Sequence, residues 1–139
     1  MKVPFTGGCL CGEIRYVVTV APELEYYCHC TDCRKASGTA YHPGIYVSNE
    51  GFRLTKGTPK TYTVKADSGR DLPRAFCGTC GSGVYVISHR RPMTSIKAGT
   101  LDDPSQFKPT TEIWTSSKVS WASLPDQLDS YPRGVDEPK

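Results

Sequence analysis

Seven cysteines in 139 residues fall into three tight groups, and no other feature limits the possible folds as strongly. The groups are Cys9-Leu10-Cys11, Cys28-His29-Cys30-Thr31-Asp32-Cys33 and Cys77-Gly78-Thr79-Cys80. An odd number of thiols at these spacings argues against a disulfide framework and for metal ligation. The first residues, Met1-Lys2-Val3-Pro4-Phe5, lack the apolar run of a secretory leader, so a soluble, cytoplasmic protein with reduced thiols is expected.

Each spacing has a geometric meaning. Residues two apart in an extended strand point the same way, so Cys9 and Cys11 are expected to present two sulfurs to one ion. Cys77 and Cys80 have the three-residue offset of a tight knuckle. Cys28, Cys30 and Cys33 are close enough to wrap a single ion, which leaves Cys9, Cys11, Cys77 and Cys80 as a closed tetrahedral set. Four thiolates around zinc leave no vacancy, and that site is expected to be structural. Three thiolates leave a position for water or substrate, the mark of a catalytic site. A substrate thiol bound there is held as a thiolate, so a thiol co-substrate is expected. Histidine is the other way to close the triplet's shell. His29 faces the opposite side if its stretch is extended, whereas His42 and His89 can approach from elsewhere in space.

The rest of the chain reads as β-rich. Ile14, Tyr16, Val18 and Val20 alternate along residues 12–20, predicting a strand with one face inward. Short β-branched or aromatic runs recur at Ile45-Tyr46-Val47, Phe52-Arg53-Leu54, Tyr62-Thr63-Val64, Ala75-Phe76, Val84-Tyr85-Val86-Ile87 and Ile113-Trp114. Turn material such as Asp67-Ser68-Gly69 separates them, and 13 glycines with 11 prolines leave little room for long helices. Helical turns are expected only at Thr31–Ser37, with Thr31 as N-cap, and near residues 101–107. One domain is expected over residues 1–132, with 133–139 a flexible tail. Tyr26, Tyr27, Trp114 and Trp121 are expected to serve sheet packing, and Arg90-Arg91 a solvated turn. A net charge of +3 does not suggest a nucleic-acid partner, and no apolar run is long enough for a membrane helix.

The segments Gly7-Gly8-Cys9-Leu10-Cys11-Gly12-Glu13-Ile14-Arg15-Tyr16, Cys28-His29-Cys30-Thr31-Asp32-Cys33-Arg34-Lys35-Ala36-Ser37-Gly38 and Phe76-Cys77-Gly78-Thr79-Cys80-Gly81-Ser82-Gly83 resemble the glutathione-dependent formaldehyde-activating enzyme family. Glu112-Ile113-Trp114-Thr115-Ser116-Ser117-Lys118-Val119-Ser120-Trp121 is similar to that family's closing motif. The resemblance implies a mainly β, zinc-stapled β-tent (Mss4-like) fold with short helical turns. It also implies a structural zinc on Cys9, Cys11, Cys77 and Cys80 and a catalytic zinc on Cys28, Cys30 and Cys33. The implied reaction is that of a carbon–sulfur lyase, joining a small thiol such as glutathione to formaldehyde or another small aldehyde. Glutathione carries net negative charge, which makes Arg34 and Lys35, directly after the triplet, candidate anion contacts. Ser37 and Gly38 are candidate substrate donors or the end of a short helix. The same fold type also hosts zinc-stabilised binding or carrier modules without catalysis, which is the alternative reading.

Overall fold

The computed structural model describes residues 1–66, 69–88 and 92–135. Strands β1 (Phe5–Gly8), β2 (Arg15–Val18) and β5 (Phe52–Lys56) make a small antiparallel sheet in the order β1-β2-β5. The second sheet has eight strands: β11 (Asp129–Ser130), β10 (Thr111–Ile113), β3 (Leu24–Cys28), β4 (His42–Ser48), β9 (Met93–Lys97), β8 (Gly83–Ser88), β7 (Asp71–Phe76) and β6 (Lys60–Lys65), in that order across the sheet. Its pairings are antiparallel except that β10 runs parallel to both β3 and β11. One helix, α1 (Thr31–Ser37), joins β3 to β4. Among the described residues no helix is long and apolar enough to cross a membrane. The architecture is mainly β, as the sequence predicts.

The main core lies between the two sheets. Tyr16 and Val18 of the small sheet and Ile45, Val47 and Ile96 of the large one are all 0% exposed. Phe52 bridges the layers, its ring 5.5 Å from Tyr16 and 4.8 Å from Tyr85. Burying each such side chain contributes about 1.5–3 kcal/mol.

Because strand side chains alternate, the large sheet's other face is set by the same register. Tyr26 lies opposite Gly44, which lies opposite Lys97. The neighbouring row runs from Leu24 through Tyr46, Ser95 and Val86 to Arg74. Cys28 pairs with His42 on one side and Ile113 on the other. Aromatic, apolar and basic residues thus share a face with a cysteine ligand, and that face carries the second buried cluster, Tyr26, Cys28, Cys33 and Ile113.

The structure departs from the local pattern in several places. The strand expected over residues 12–20 begins only at Arg15, since the preceding residues close a loop in which Cys9 N–H donates to Ile14 O at 3.0 Å and Gly12 N–H to Cys9 O at 3.2 Å. Cys9 and Cys11 therefore sit on a turn between β1 and β2, not on a strand. Trp114 lies just past β10 with φ 58°, a left-handed conformation uncommon outside glycine. β9 has no clean alternation because Met93, Thr94, Ser95 and Ile96 are all buried, as befits a strand covered on both faces. Residues 101–107 form a single 3-10 turn, Pro104–Gln106, with Asp103 as its cap. Trp121 is 68% exposed, so it is a surface residue where the sequence suggests packing. Contacts continue past Pro132: Trp114 N–H donates to Arg133 O at 3.0 Å, the Arg133 guanidinium lies 5.1 Å from the Trp114 ring, and Val135 packs on the second cluster. The turn residues Asp67 and Ser68, the ligand candidate His89, the Arg90-Arg91 pair and tail residues 136–139 lie outside the described residues.

Candidate metal centres

The sulfurs of Cys9, Cys11, Cys77 and Cys80 all lie within 4.8 Å of one another. Cys11 Sγ is 3.7 Å from both Cys9 Sγ and Cys77 Sγ. Sulfurs placed tetrahedrally at zinc–thiolate bond length are about 3.8 Å apart, so the four residues fit a closed zinc site. Two turns from distant parts of the chain build it. In the first, Ile14 N–H donates to Cys9 Sγ at 3.2 Å. In the second, Thr79 N–H donates to Cys77 Sγ at 3.4 Å, and Gly81 N–H returns to Cys77 O at 2.9 Å. Such N–H···S contacts spread thiolate charge into the backbone. The Ser82 side chain lies 3.2 Å from Cys80 Sγ and, with the Ser82 backbone, pulls that thiol down to about 5.

Cys28, Cys30 and Cys33 form the second sulfur cluster within the same 4.8 Å limit. Cys28 ends β3, Cys30 is the N-cap of α1, and Cys33 is buried in the helix's first turn. The cap is Cys30, not the expected Thr31: its sulfur accepts Cys33 N–H at 3.3 Å, so capping the helix and gathering the ligands are one act. Seven residues do not make a stable helix alone. α1 is held by this cap, by buried Cys33, and at its other end by Gly38, whose φ of 69° lets its N–H reach Arg34 O at 2.9 Å. Hydrogen bonds from the Cys28 and Cys30 thiols, with Arg74 adding its charge against the effect of burial, hold the Cys33 thiol well below the ordinary range.

His29 points away from the triplet. Fully buried, its Nε2 lies 3.0 Å from Glu112 Oε2, and Glu112 also takes Ser130 Oγ at 2.8 Å and Lys118 Nζ at 3.3 Å. His29 N–H donates to Ile113 O at 3.0 Å, so backbone and side chain both fasten the cysteine loop to β10. Burial raises the Glu112 carboxyl, but the bonds from Ser130, His29 and Lys118 outweigh it and leave it below its ordinary value. His42 lies on the triplet's side, with Nε2 3.3 Å from Ser95 Oγ, and burial lowers it to about 4, so it is neutral at pH 7. Among the described residues no histidine nitrogen joins the three sulfurs within the 4.8 Å limit.

The other sequence candidates are spread along α1. Lys35 is exposed and Arg34 half-buried in the helix's last turn. Gly38 N–H is committed to the helix cap, and Ser37 Oγ donates to Arg34 O at 3.3 Å, so neither is aimed outward as a substrate donor. A cavity of about 520 Å³ is walled by Leu24, Tyr46, Met93, Ile113, Trp114 and Tyr131, and none of the three cysteines is among its lining. Leu24, Tyr46, Trp114 and Tyr131 pack, together with Cys30, on the cluster that contains Cys28 and Cys33. Sequence reasoning passed over Arg74, whose Nη2 lies 3.7 Å from Cys33 Sγ, and Lys97 on the same face; neither belongs to a local motif.

Fold and sites together define a β-sheet protein with two preassembled thiol clusters suited to metal ions, one closed and one with three ligands. The chain belongs to the glutathione-dependent formaldehyde-activating enzyme family, whose model matches residues 4–117. A provisionally named glutathione-dependent formaldehyde-activating enzyme of Halomonas elongata is 28% identical over 125 residues, covering 85% of this chain and 79% of that protein. The crystal structure of a Rhodobacter sphaeroides protein superposes with a TM-score of 0.53 at 19% identity, over 70% of this chain and 87% of the other, and supports the fold alone.

Proposed function

We propose that the chain is a zinc-dependent carbon–sulfur lyase that joins a small thiol, glutathione or a relative of it, to formaldehyde or another small aldehyde. The observation that carries this reading is the triplet, three cysteine sulfurs within 4.8 Å of one another with no fourth protein ligand among the described residues. Zinc bound there would supply a soft, positively charged centre that favours the thiolate form of a substrate thiol near neutral pH. Cys28, Cys30 and Cys33 hold the ion, and the His29–Glu112 contact keeps their loop in place. Tyr46, Trp114 and Tyr131, which pack on the cluster that contains Cys28 and Cys33, would position the thiol's organic part. Arg34 and Lys35, in the last turn of α1, would attract a carboxylate of the substrate. Cys9, Cys11, Cys77 and Cys80 hold a second, structural zinc. Reduced thiols throughout suit a cytoplasmic setting.

The test replaces zinc by cobalt and follows the visible spectrum while glutathione, and then smaller thiols, are added. A thiol-dependent change in the thiolate–cobalt bands that disappears in Cys30→Ser supports the reading. A spectrum unmoved by every thiol overturns it in favour of a binding module.

A further inference from the structure

The sheet face that carries Cys28 also carries two cations that the clusters do not account for. Arg74 reaches Cys33 Sγ with Nη2 at 3.7 Å, while its Nε and Nη1 are buried and have no hydrogen-bond partner among the described protein atoms. Lys97 Nζ is in the same condition. Space has been kept for it, since a β-carbon at Gly83 would come within 2.8 Å of Lys97 Cε.

What marks these groups out is their unmet N–H donors, since three thiolates with a zinc ion and the nearby Asp32 carboxylate already balance the charges of Arg74 and Lys97. Sulfur is a weak acceptor, and one long contact to Cys33 uses one of the guanidinium's five N–H groups. Buried charged donors without acceptors are costly, and a compact oxygen anion is the group that best satisfies them.

We propose that Arg74 and Lys97 form an oxyanion subsite beside the cysteine triplet, which receives the negative oxygen that develops as a thiolate adds to an aldehyde. This rests on the lyase reading above. In that addition a sulfur lone pair forms the S–C bond and the carbonyl π pair moves onto oxygen. The proton released when the thiol ionised then returns to that oxygen, giving the hydroxymethyl thioether. No electrons enter or leave. The alkoxide lies two bonds from the attacking sulfur, within the zone that Arg74 already reaches at Cys33. Fixed donors aimed at developing charge are the most effective means of lowering such a barrier.

Formate is the probe, because it has one carbon, the size of formaldehyde, and carries the negative oxygen without reacting. Its binding to the metal-loaded full chain is measured by calorimetry, with metal content as a control, for the wild type, Arg74→Gln, Lys97→Met and the charge-preserving Arg74→Lys. We expect formate to bind the wild type. Arg74→Gln and Lys97→Met should weaken it at least tenfold with both ions retained, Arg74→Lys should weaken it less, and the turnover number should fall while KM for the thiol holds. Formate affinity unchanged in both Arg74→Gln and Lys97→Met overturns the subsite, as does wild-type protein that binds no formate while the variants lose the triplet's ion, which would make the cations mere counter-charges. Intact thiol–aldehyde turnover with variant-insensitive formate binding sinks only the subsite. Formate binding that depends on Arg74 and Lys97, without turnover of any thiol, sinks only the lyase reading.

Discussion

At the scale of single residues, polar contacts between distant parts of the chain decide what the cysteine loops rest on. Arg15 donates to Asp102 through both terminal guanidinium nitrogens, Nη1 at 2.9 Å, and Thr6 Oγ1 adds a third bond to the same carboxylate. The clamp ties β1 and β2 to the segment after β9, beside the loop that carries Cys9 and Cys11. The hydrogen bonds from Arg15 and Thr6 lower the Asp102 carboxyl from 3.8 to about 2. A depressed folded-state value stabilises above the unfolded value and is lost as the pH falls through the folded one. The side chains are 34% and 47% exposed, so solvent screening limits the contribution to about 0.5–1 kcal/mol. Asp102→Asn is therefore expected to lower stability by about that amount at pH 7, with the difference shrinking between pH 4 and pH 2; urea unfolding at pH 7, 4 and 2.5 measures it. None of this was legible in sequence, where residues 101–107 read only as a helical turn. His29 is the opposite case, because alternation along an extended stretch already turned it away from the triplet. Its partner Glu112 came from 83 residues downstream and had no local signal.

At the scale of elements, α1 shows how a short segment is stabilised by its surroundings. Its N-cap is the candidate ligand Cys30, its first turn buries a second candidate, Cys33, and it stops at Gly38. At Gly38 a β-carbon would meet no atom within 4 Å, so replacement strains only the backbone. Gly38→Ala is expected to cost about 1 kcal/mol, read as a shift in the urea midpoint without loss of either metal ion. A midpoint that stays in place would show that the helix end frays without consequence for the domain. The strands that the sequence marked, in β2, β4, β5, β6, β7, β8 and β10, are those with alternating, β-branched or aromatic runs. Of those it missed, β1, β3, β9 and β11, the two that matter to the site are β3 and β9. Leu24-Glu25-Tyr26-Tyr27-Cys28 carries a cysteine where an apolar residue would complete the pattern, and β9 is buried on both faces, so period-two alternation disappears. Those two strands flank β4, and together the three carry Cys28, Tyr46 and Lys97. The elements hardest to see are the ones that build the site.

At the scale of the whole molecule, the Cys9, Cys11, Cys77, Cys80 cluster joins the small sheet to the far part of the large one. Linking two turns about seventy residues apart restricts the unfolded chain, and by analogy with a cross-link that is worth about 4 kcal/mol. Against a usual net stability of about 5–15 kcal/mol, a metal ion bound there would decide whether the domain stays folded. Cys77→Ser, or removal of metal by a chelator, is expected to abolish the cooperative thermal transition seen by circular dichroism, whereas Cys30→Ser should retain it. A Cys77→Ser protein that unfolds with an unchanged midpoint would remove the structural role. The sequence by itself determined which thiols work together, because chelation by residues two or three apart is a local matter of chain geometry, and it determined a mainly β frame through runs suited to a pleated surface. Only the tertiary structure decided what surrounds the triplet. Arg74, Lys97, His42 and Tyr46 come from strands scattered along the chain, and they meet because hydrogen-bond register sets them on one face, a long-range condition that no spacing within a single segment encodes.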